Sequence, residues 1–590
     1  MAMYPTLIVH NAKIHTGVAQ RPEVQALAVN GRRIAAVGTN GQIRSLAGPA
    51  TMVIDAGRRR IIPGLIDANQ HLIATGLDYN QELRWDSVPS LNEALRLLAD
   101  QVQRTPSPQW IRVVGGFCEH QFTEQRLPTV EELNRVAPST PVYLQHLQDR
   151  ALLNAAAMAA CGYDGQPPDP PGGHIEWDDQ GVPMGSLIAT PTPEVFRQTL
   201  AHAPVLPHEY QVNSLRQAMR ELNRLGITSV IDAGAAHLRY PDDYKAVEEL
   251  AHHHLLTVRM AYHLAAQTPG GETGDFLHWS TINHYGDGDE LFRFNGAGEV
   301  LVHAAMDYDN FRQPPPAFTA QTAVELEDIV SRLVARGWPW RMHAVYDDTI
   351  DMALDAFEHV DAAMGLRALP WFFDGAETIS ARNIERVARL GGGVNVQPRM
   401  AYQGEYFLER HGADVAAHTP PIRRMLDAGL HVGVGSGGAT AASMDPWTTL
   451  YWLTTGRTLG GTTLYPPEHR LDRAQALALH TRDNTWFSGE QGSKGQLDIG
   501  QCADFAILSQ DYFSVPDEDI RQIESELTVM DGRVVYANGD FRAFDLAQPR
   551  PLPEWSPVNH GGGCWRNAHH MQEASTVAFS SRDGGRAHQR

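Results

Sequence analysis

The chain has 590 residues, which is longer than one hydrophobic core usually holds, so we expect a principal domain with smaller satellite domains. Its 48 basic and 69 acidic residues give a formal net charge of -21. This charge repels phosphate backbones and anionic lipid, and it excludes nucleic acid and membrane surfaces as expected partners. No apolar run reaches bilayer-spanning length, and the first residues lack the basic start and long apolar core of a secretory signal. We therefore predict a cytoplasmic protein.

Short runs of alternating apolar and polar residues open and close the chain. Residues 4–55 contain several, and a second set lies at Asp504–Leu508 and Leu527–Tyr536, where Asp531-Gly532 is typical of a hairpin turn. The two sets predict one small β-sandwich domain that both ends of the chain form together, from residues 1–60 and 491–545.

Residues 61–490 contain β-branched apolar runs separated by helical stretches, a pattern that predicts parallel strands joined by crossover helices. The eight predicted strands are Ile61–Asp67, Ile227–Asp232, Thr257–His263, Leu291–Asn295, Trp340–Val345, Trp371–Asp374, Gly393–Gln397 and His431–Ser436. Eight such units close an α/β fold of the (β/α)₈ TIM-barrel type, whose active site lies at the carboxyl ends of the strands.

Two segments depart from the barrel rhythm. Residues 76–215 predict a large insertion after strand one, with a helix at Leu91–Val102 and a Pro/Gly-rich loop at Gln166–Gly173. Residues 546–590 form an extended tail rich in Pro, Gly, Ser and His. Such a composition cannot build a core, so we expect this tail to be mobile unless a partner subunit orders it.

The end of strand one carries the most informative motif. Pro63, Gly64, Asp67 and His71 follow the pattern Pro-Gly-x-x-Asp-x-x-x-His, and Asn69 stands where a first histidine would complete a His-x-His pair. Further segments follow in the same order, namely Trp110–Phe117, Arg126–Thr129, Pro171–Gly173, Gly226–Asp232, Met342–Ala344 with Asp347, and Lys494–Asp504. Over most of its length the chain thereby resembles the amidohydrolase superfamily, in particular the branch that includes N-substituted formamide deformylases. The resemblance implies the barrel fold and hydrolysis of a C–N bond.

The resemblance also implies metal-ligand positions at the ends of strands one, four, five, six and eight. In strand order these positions are occupied here by Asn69 and His71, Arg293 or a neighbour, His343, Gly375 and Gly437. An amide oxygen is a poor transition-metal ligand, arginine cannot coordinate, and glycine has no side chain. Only His71 and His343 remain, whereas zinc sites use three or four protein ligands. We expect no binuclear centre, and we leave open whether these two histidines bind a single divalent ion.

Without metal, the strand ends still carry ionisable groups. His71 and His343 are candidate general acids or bases, because imidazole titrates near neutrality. Asp374 could orient one of them, and Arg293 could bind a carboxylate or an oxyanion. The alternative is that the histidines are kept by packing and that Arg293 forms a structural ion pair.

Other residues at strand ends are candidates for substrate binding. They are Asn69, His263, Tyr346, Trp371 and Ser436. The aromatic residues near the strand ends favour a small, apolar or aromatic ligand. Cys118 is a weaker candidate nucleophile, beside Glu119 and His120.

Three functions are therefore open. The first is a divergent amidohydrolase-fold enzyme that hydrolyses a C–N bond of a small molecule without the usual binuclear centre. The second is a lyase, hydratase or isomerase that uses His/Asp acid-base chemistry or one atypical metal ion. The third is a non-catalytic small-molecule binding protein. A homodimer is compatible with each of them.

Overall fold

A computed structural model describes residues 4–165, 167–190, 193–307, 310–311, 314–438 and 440–566. Gln166 of the predicted Pro/Gly-rich loop and residues 567–590 of the predicted tail lie outside the described residues. Across those ranges, no helix combines the length and the apolar character that crossing a bilayer would require.

The strands and helices of the described residues are numbered separately in chain order. The strands are β1 Leu7–His10, β2 Lys13–His15, β3 Glu23–Val24, β4 Ala26–Asn30, β5 Arg33–Gly38, β6 Met52–Asp55, β7 Arg60–Pro63, β8 Leu65–Gln70, β9 Glu82–Leu83, β10 Ile111–Val113, β11 Val142–His146, β12 Arg150–Leu153, β13 Gly173–Trp177, β14 Pro183–Ala189, β15 Ile227–Asp232, β16 Arg259–Leu264, β17 Phe292–Ala297, β18 Trp340–Ala344, β19 Trp371–Gly375, β20 Gly393–Val396, β21 His431–Val434, β22 Phe505–Leu508, β23 Ser525–Met530 and β24 Arg533–Ala537. The helices are α1 Asn40–Arg44, α2 Leu72–Asp78, α3 Leu91–Val102, α4 Val130–Val136, α5 Ala155–Cys161, α6 Glu194–Leu200, α7 His208–Arg224, α8 Lys245–His252, α9 Glu272–Trp279, α10 Ala320–Arg336, α11 Asp347–Met364, α12 Ala381–Leu390, α13 Arg399–His411, α14 Ala413–Ala416, α15 Ile422–Asp427, α16 Pro446–Thr455 and α17 Arg473–Leu479.

The predicted (β/α)₈ barrel is confirmed. Strands β8 and β15 to β21 form one parallel sheet in the order β8-β15-β16-β17-β18-β19-β20-β21. Backbone amides after β21 return to the first strand, where Ser436 N donates to Asp67 Oδ1 (2.9 Å) and Gly437 N donates to Asn69 O (3.0 Å). Strand two has the predicted bounds, and the other strands start or end within a few residues of theirs.

Strand one shows the largest correction. The predicted run Ile61–Asp67 is two strands, because β7 pairs with β22 in the terminal β domain and only β8 enters the barrel. The break falls at Gly64, where a Cβ would lie 2.1 Å from Thr228 Oγ1, so only glycine lets the chain pass from one domain to the other.

The β domain is formed by both ends of the chain, as predicted. A four-stranded sheet has the order β5-β4-β1-β6, and a six-stranded sheet has the order β24-β23-β22-β7-β2-β3. Residues 61–63 and 505–507 pair antiparallel in the second sheet, and this pairing joins the two ends of the chain. One apolar core lies between the sheets and includes Leu27 and Leu527.

The insertion after strand one contains the predicted helix at Leu91–Val102, as α3, whose first turn is capped by the side chain of Ser90. It also contains a six-stranded sheet in the order β13-β14-β12-β11-β10-β9, which the sequence analysis did not predict. The neighbouring strands β10 and β11 are buried throughout and run parallel, and their apolar side chains form a core with those of α3 and α4.

Residues 546–566, the described part of the predicted tail, lie against the barrel. Arg566 Nη2 pairs with Asp445 Oδ2 (2.9 Å), and Cys564 N donates to Glu221 Oε1 (2.8 Å). Both carboxylates are buried. Burial raises the pKa of Asp445, and the positive charge of Arg566 lowers this pKa in part. An ion pair and a backbone hydrogen bond thus hold this segment against the rest of the chain.

Candidate active site

A cavity of about 730 Å³ opens at the carboxyl ends of the barrel strands. This volume is within the range of small-molecule sites. Its lining includes apolar side chains, among them Phe196, Val300, Leu301, Val302, Met306 and Met342. Its polar lining includes His71, Glu82, Arg112, Glu299, His343, Gln397 and Arg399. The insertion supplies one wall through residues 82, 112, 114, 145 and 148.

An imidazole and a carboxylate are paired at the base of this cavity. His71 Nε2 lies 3.2 Å from Glu299 Oε1, and His71 Nδ1 lies 2.6 Å from the carbonyl oxygen of Gly234. Since both ring nitrogens face acceptors, both donate and the ring is an imidazolium. Burial lowers the pKa of His71, but the Glu299 carboxylate, together with Asp232 and the Gly234 carbonyl, outweighs burial and raises this pKa to about 9.

The backbone before α2 fixes the orientation of His71. Asp232, at the end of β15, accepts a hydrogen bond from Ile73 N in the first turn of α2 (2.9 Å) and another from Gly234 N (3.0 Å). Because the carbonyl of Gly234 accepts from the His71 ring, one carboxylate positions both the start of the helix and the partner of the imidazole.

Glu299 is the main site residue that the sequence analysis missed. It follows β17 by two residues and is placed among His71, Asn69 and His343. Asn69 Nδ2 donates to Glu299 Oε2 (3.4 Å), and His343 N donates to the backbone carbonyl of Glu299 (3.0 Å). Burial would raise the pKa of this carboxyl, but His71 and then His343 favour its charged form and hold the pKa at about 2.

Glycines stand at the ends of strands six and eight, and polar side chains fill the space beside them. A Cβ on Gly375 would lie 2.8 Å from Glu377 Oε2 and 3.0 Å from Arg399 Nη1. These two buried residues pair with each other, with Arg399 Nη1 donating to Glu377 Oε1 at 2.8 Å. A guanidinium that lines the cavity thus occupies the region beside the strand-six ligand position.

The strand-eight glycines make similar room. A Cβ on Gly437 would lie 2.9 Å from Gln397 Oε1, and one on Gly438 would lie 2.7 Å from His71 Cδ2. Both glycines have φ +77, a conformation that side-chain-bearing residues rarely adopt. They allow Gln397 and His71 to reach the same stretch of backbone.

The distal end of the cavity is charged. His71, which directly precedes helix α2, and Ala74, Thr75 and Asp78 of that helix lie along one side of the cavity. The seven residues of the helix span roughly 10 Å. At the far end Asp78 Oδ2 lies 3.1 Å from Arg112 Nη1. The cavity therefore extends from the His71–Glu299 pair to a second polar region, formed by Asp78 and Arg112, at a distance that a small molecule can span.

Asp374, predicted to assist a catalytic histidine, lies in the polar centre of the barrel. Its two oxygens accept from Arg341 Nε (2.6 Å) and Nη2 (2.5 Å), and Asn395 Nδ2 donates to Oδ1 (2.8 Å). All three side chains are buried, and none lines the cavity within the described ranges. The arrangement shows a structural ion pair between strands five, six and seven.

Arg293 and His263 are also placed away from the cavity lining that the structure describes. Arg293 is near the start of β17, at the opposite end of the barrel, where Nη2 lies 3.3 Å from Glu490 Oε2. His263 Nδ1 donates to Asp232 O (2.9 Å), and Nε2 accepts from Asn295 Nδ2 (3.0 Å). Burial lowers the pKa of His263 well below its usual value, so this ring is neutral.

The predicted substrate-binding residues are likewise separated. Asn69 touches Glu299, as described above. Ser436 Oγ donates to Asn69 O (3.3 Å) beneath the pair, and Tyr346 Oη donates to Asn310 O (2.8 Å). Trp371 is fully buried and stacks on Trp340, with ring centroids 6.2 Å apart. Among the described residues, the aromatic cluster of the strands packs the core and does not line the cavity.

Cys118 is fully buried in the insertion and is not among the described lining residues. Burial raises the pKa of this thiol well above its usual value, and the neighbouring Glu119 acts in the same direction. Glu119 itself pairs with His146, whose Nε2 is 2.9 Å from its Oε2. A protonated, enclosed thiol is a poor nucleophile.

Residues 52–536 match the family described as the Amidohydrolase family. The chain is a member of this family. It is similar to an N-substituted formamide deformylase of Arthrobacter pascens, at 27% identity over 560 residues, covering 91% of this chain and 99% of that protein. It is also similar to the putative amidohydrolase YtcJ of Bacillus subtilis (strain 168), at 24% identity over 89% of this chain and 98% of that protein.

Solved structures agree in fold. An uncharacterized metal-dependent hydrolase from Pyrococcus horikoshii OT3 superposes with a TM-score of 0.61 at 19% identity, covering 87% of this chain and 99% of that one. Family membership and these relatives make this chain a hydrolase-type enzyme with an amidohydrolase barrel.

The family's ligand positions at strands one, six and eight carry few metal-ligating side chains here. In the portion of the chain that the structure describes, no group of three or more His, Cys, Asp or Glu side chains is arranged to hold a metal ion. His71 Nε2 lies 3.2 Å from Glu299 Oε1, so this ring nitrogen already faces a carboxylate partner. The positions at strands six and eight are glycines beside Arg399 and Gln397.

Proposed function

We propose that this amidohydrolase cleaves the C–N bond of a small, largely apolar amide by acid-base catalysis between His71 and Glu299, without a binuclear metal centre. The 3.2 Å contact between His71 Nε2 and Glu299 Oε1, at the base of a cavity of about 730 Å³, carries this proposal. An ion pair of this kind holds one proton donor and one proton acceptor side by side.

Each member of the pair has one part of the reaction. Glu299 accepts a proton from a water molecule as the water oxygen attacks the amide carbonyl carbon. His71 then gives its Nε2 proton to the departing nitrogen as the C–N bond breaks. The proton on Glu299 passes to His71 across their contact, which restores the pair. The products are a carboxylic acid and an amine, so water and amide are fully accounted for.

The cavity supports a small, elongated substrate. Its walls near the pair are aliphatic, from Val300 to Val302 and Met342, and its far end holds Asp78 and Arg112 roughly 10 Å along α2. We propose an apolar substrate and no longer an aromatic one, because Trp371 and Tyr346 pack elsewhere.

Amine release from N-butylformamide, one representative N-substituted formamide, tests the proposal. We expect the purified protein to release butylamine and to keep this activity after chelation and dialysis, with metal content measured by mass spectrometry. His71→Gln and Glu299→Gln should each lower kcat/KM by about 10²- to 10⁴-fold, the usual share of a general acid or base.

Glu409→Gln, at an exposed carboxylate, is the matched control and should retain the parent rate. Two tightly bound ions per chain with chelator-sensitive turnover would contradict the proposal. Binding of the amide without turnover would favour a binding protein.

A further inference from the structure

One polar side chain at the base of the cavity has no role in the acid-base pair. Gln397 follows β20, is 2% exposed and lines the cavity. Its Oε1 has no hydrogen-bond partner among the residues that the structure describes. A buried amide oxygen without a partner is destabilising, so a donor group that bound there would recover much of the lost hydrogen-bond energy.

Gln397 and His71 approach the same two residues. The site where a Gly437 Cβ would stand is 2.9 Å from Gln397 Oε1, and that of Gly438 is 2.7 Å from His71 Cδ2. Consecutive Cα atoms are about 3.8 Å apart, so the carboxamide and the imidazolium flank one short opening. A reacting bond that His71 protonates therefore lies within reach of Gln397.

We infer that Gln397 Oε1 accepts a hydrogen bond from the N–H of the scissile amide, and that the enzyme is built for amides that carry this N–H. The inference rests on the proposed function, because it names the substrate class of the same site. With its N–H held by Gln397, the amide nitrogen keeps its developing lone pair free for the proton of His71.

The hydrogen bond to Gln397 Oε1 discriminates between substrates with and without an amide N–H. A secondary amide fills the acceptor, whereas an N-methylated amide or an ester leaves it unpaired. Sites built around a substrate N–H or O–H reject analogues that lack it, because the buried protein group is then left without a partner. The aliphatic wall can accommodate the extra methyl group, but it supplies no hydrogen-bond donor to replace the lost N–H.

Three probes of equal chain length separate the classes: N-butylformamide, N-butyl-N-methylformamide and butyl formate. We expect the parent enzyme to prefer the first over the second by about 10- to 100-fold in kcat/KM, the scale of one lost buried hydrogen bond. Gln397→Met, which keeps the length but removes the acceptor, should erase the preference mainly by lowering turnover of N-butylformamide. Gln397→Glu keeps an acceptor and should retain the preference.

Gln321→Met, on the exposed side of α10, is the matched control, and circular dichroism checks the folding of each variant. An unchanged preference in Gln397→Met overturns the inference, as does loss of the preference in a folded Gln397→Glu. If the parent enzyme hydrolyses none of the probes, the proposed reaction is wrong. In that case the dissociation constants of the two amides test the inference about Gln397 by themselves. The inference stands if the parent enzyme binds N-butylformamide at least about 10-fold more tightly than N-butyl-N-methylformamide. Equal dissociation constants for the two amides overturn it.

Discussion

Replacing Glu299 by glutamine removes the charge that keeps His71 protonated. His71 has a pKa of about 9, raised mainly by this carboxylate against the effect of burial. Without the charge, burial and the remaining neighbours leave the pKa at or below the ordinary 6.5. At about 1.4 kcal/mol for each pH unit, the coupling between the two side chains is about 3 kcal/mol.

Carbon-13 NMR of histidine ring Cε1 atoms reports this change directly, with His71→Asn to assign the signal among 27 histidines. The parent should titrate near pH 9 and Glu299→Gln near or below pH 6.5. Since the general acid must be protonated, kcat/KM should fall above about pH 9 in the parent, and the residual activity of the variant should fall above about pH 6.5. A His71 pKa that is the same in Glu299→Gln and in the control Glu409→Gln would refute the reasoning.

Two further substitutions test the structure around the pair. Arg341→Met should destabilise the barrel by about 3–5 kcal/mol, because it leaves the Asp374 carboxylate charged and buried without its partner. The thermal unfolding midpoint should fall, and adding Asp374→Leu should largely restore it. An unchanged midpoint in Arg341→Met would refute this. Gly438→Ala should lower kcat/KM about 10-fold or more, because the added methyl group presses against His71. The control Gly274→Ala, where a Cβ meets nothing within 4 Å, should leave kcat/KM unchanged. A parent-like rate in Gly438→Ala would show that the ring has room to move.

The barrel and the β domain were predictable because their strands are β-branched runs between helical stretches or turn residues. Gly64 was missed as a break, since the apolar pattern continues across it and only the approach of Thr228 reveals the change of sheet. The insertion sheet was missed because three-residue strands such as β10 leave little pattern.

In the site, His71 was identified from its motif, but its partner was not. The strand-four alignment directed attention to Arg293, whereas Glu299 lies after the strand, where a carboxylate gives no periodic signal. The role of Gln397 depends on its contact with a strand-eight glycine, which is distant in sequence. Asp374 was placed on the correct strand, but its pairing with Arg341 required coordinates.

The pairing of residues 61–63 with 505–507 has a consequence for synthesis on the ribosome. Strand β7 emerges about 440 residues before β22, which at 5–20 residues per second is a delay of roughly 20–90 s. During that interval the edge of the half-built sheet has unsatisfied amide and carbonyl groups that can recruit another nascent chain. The N-terminal strands must therefore be kept from pairing with other chains until translation is nearly complete.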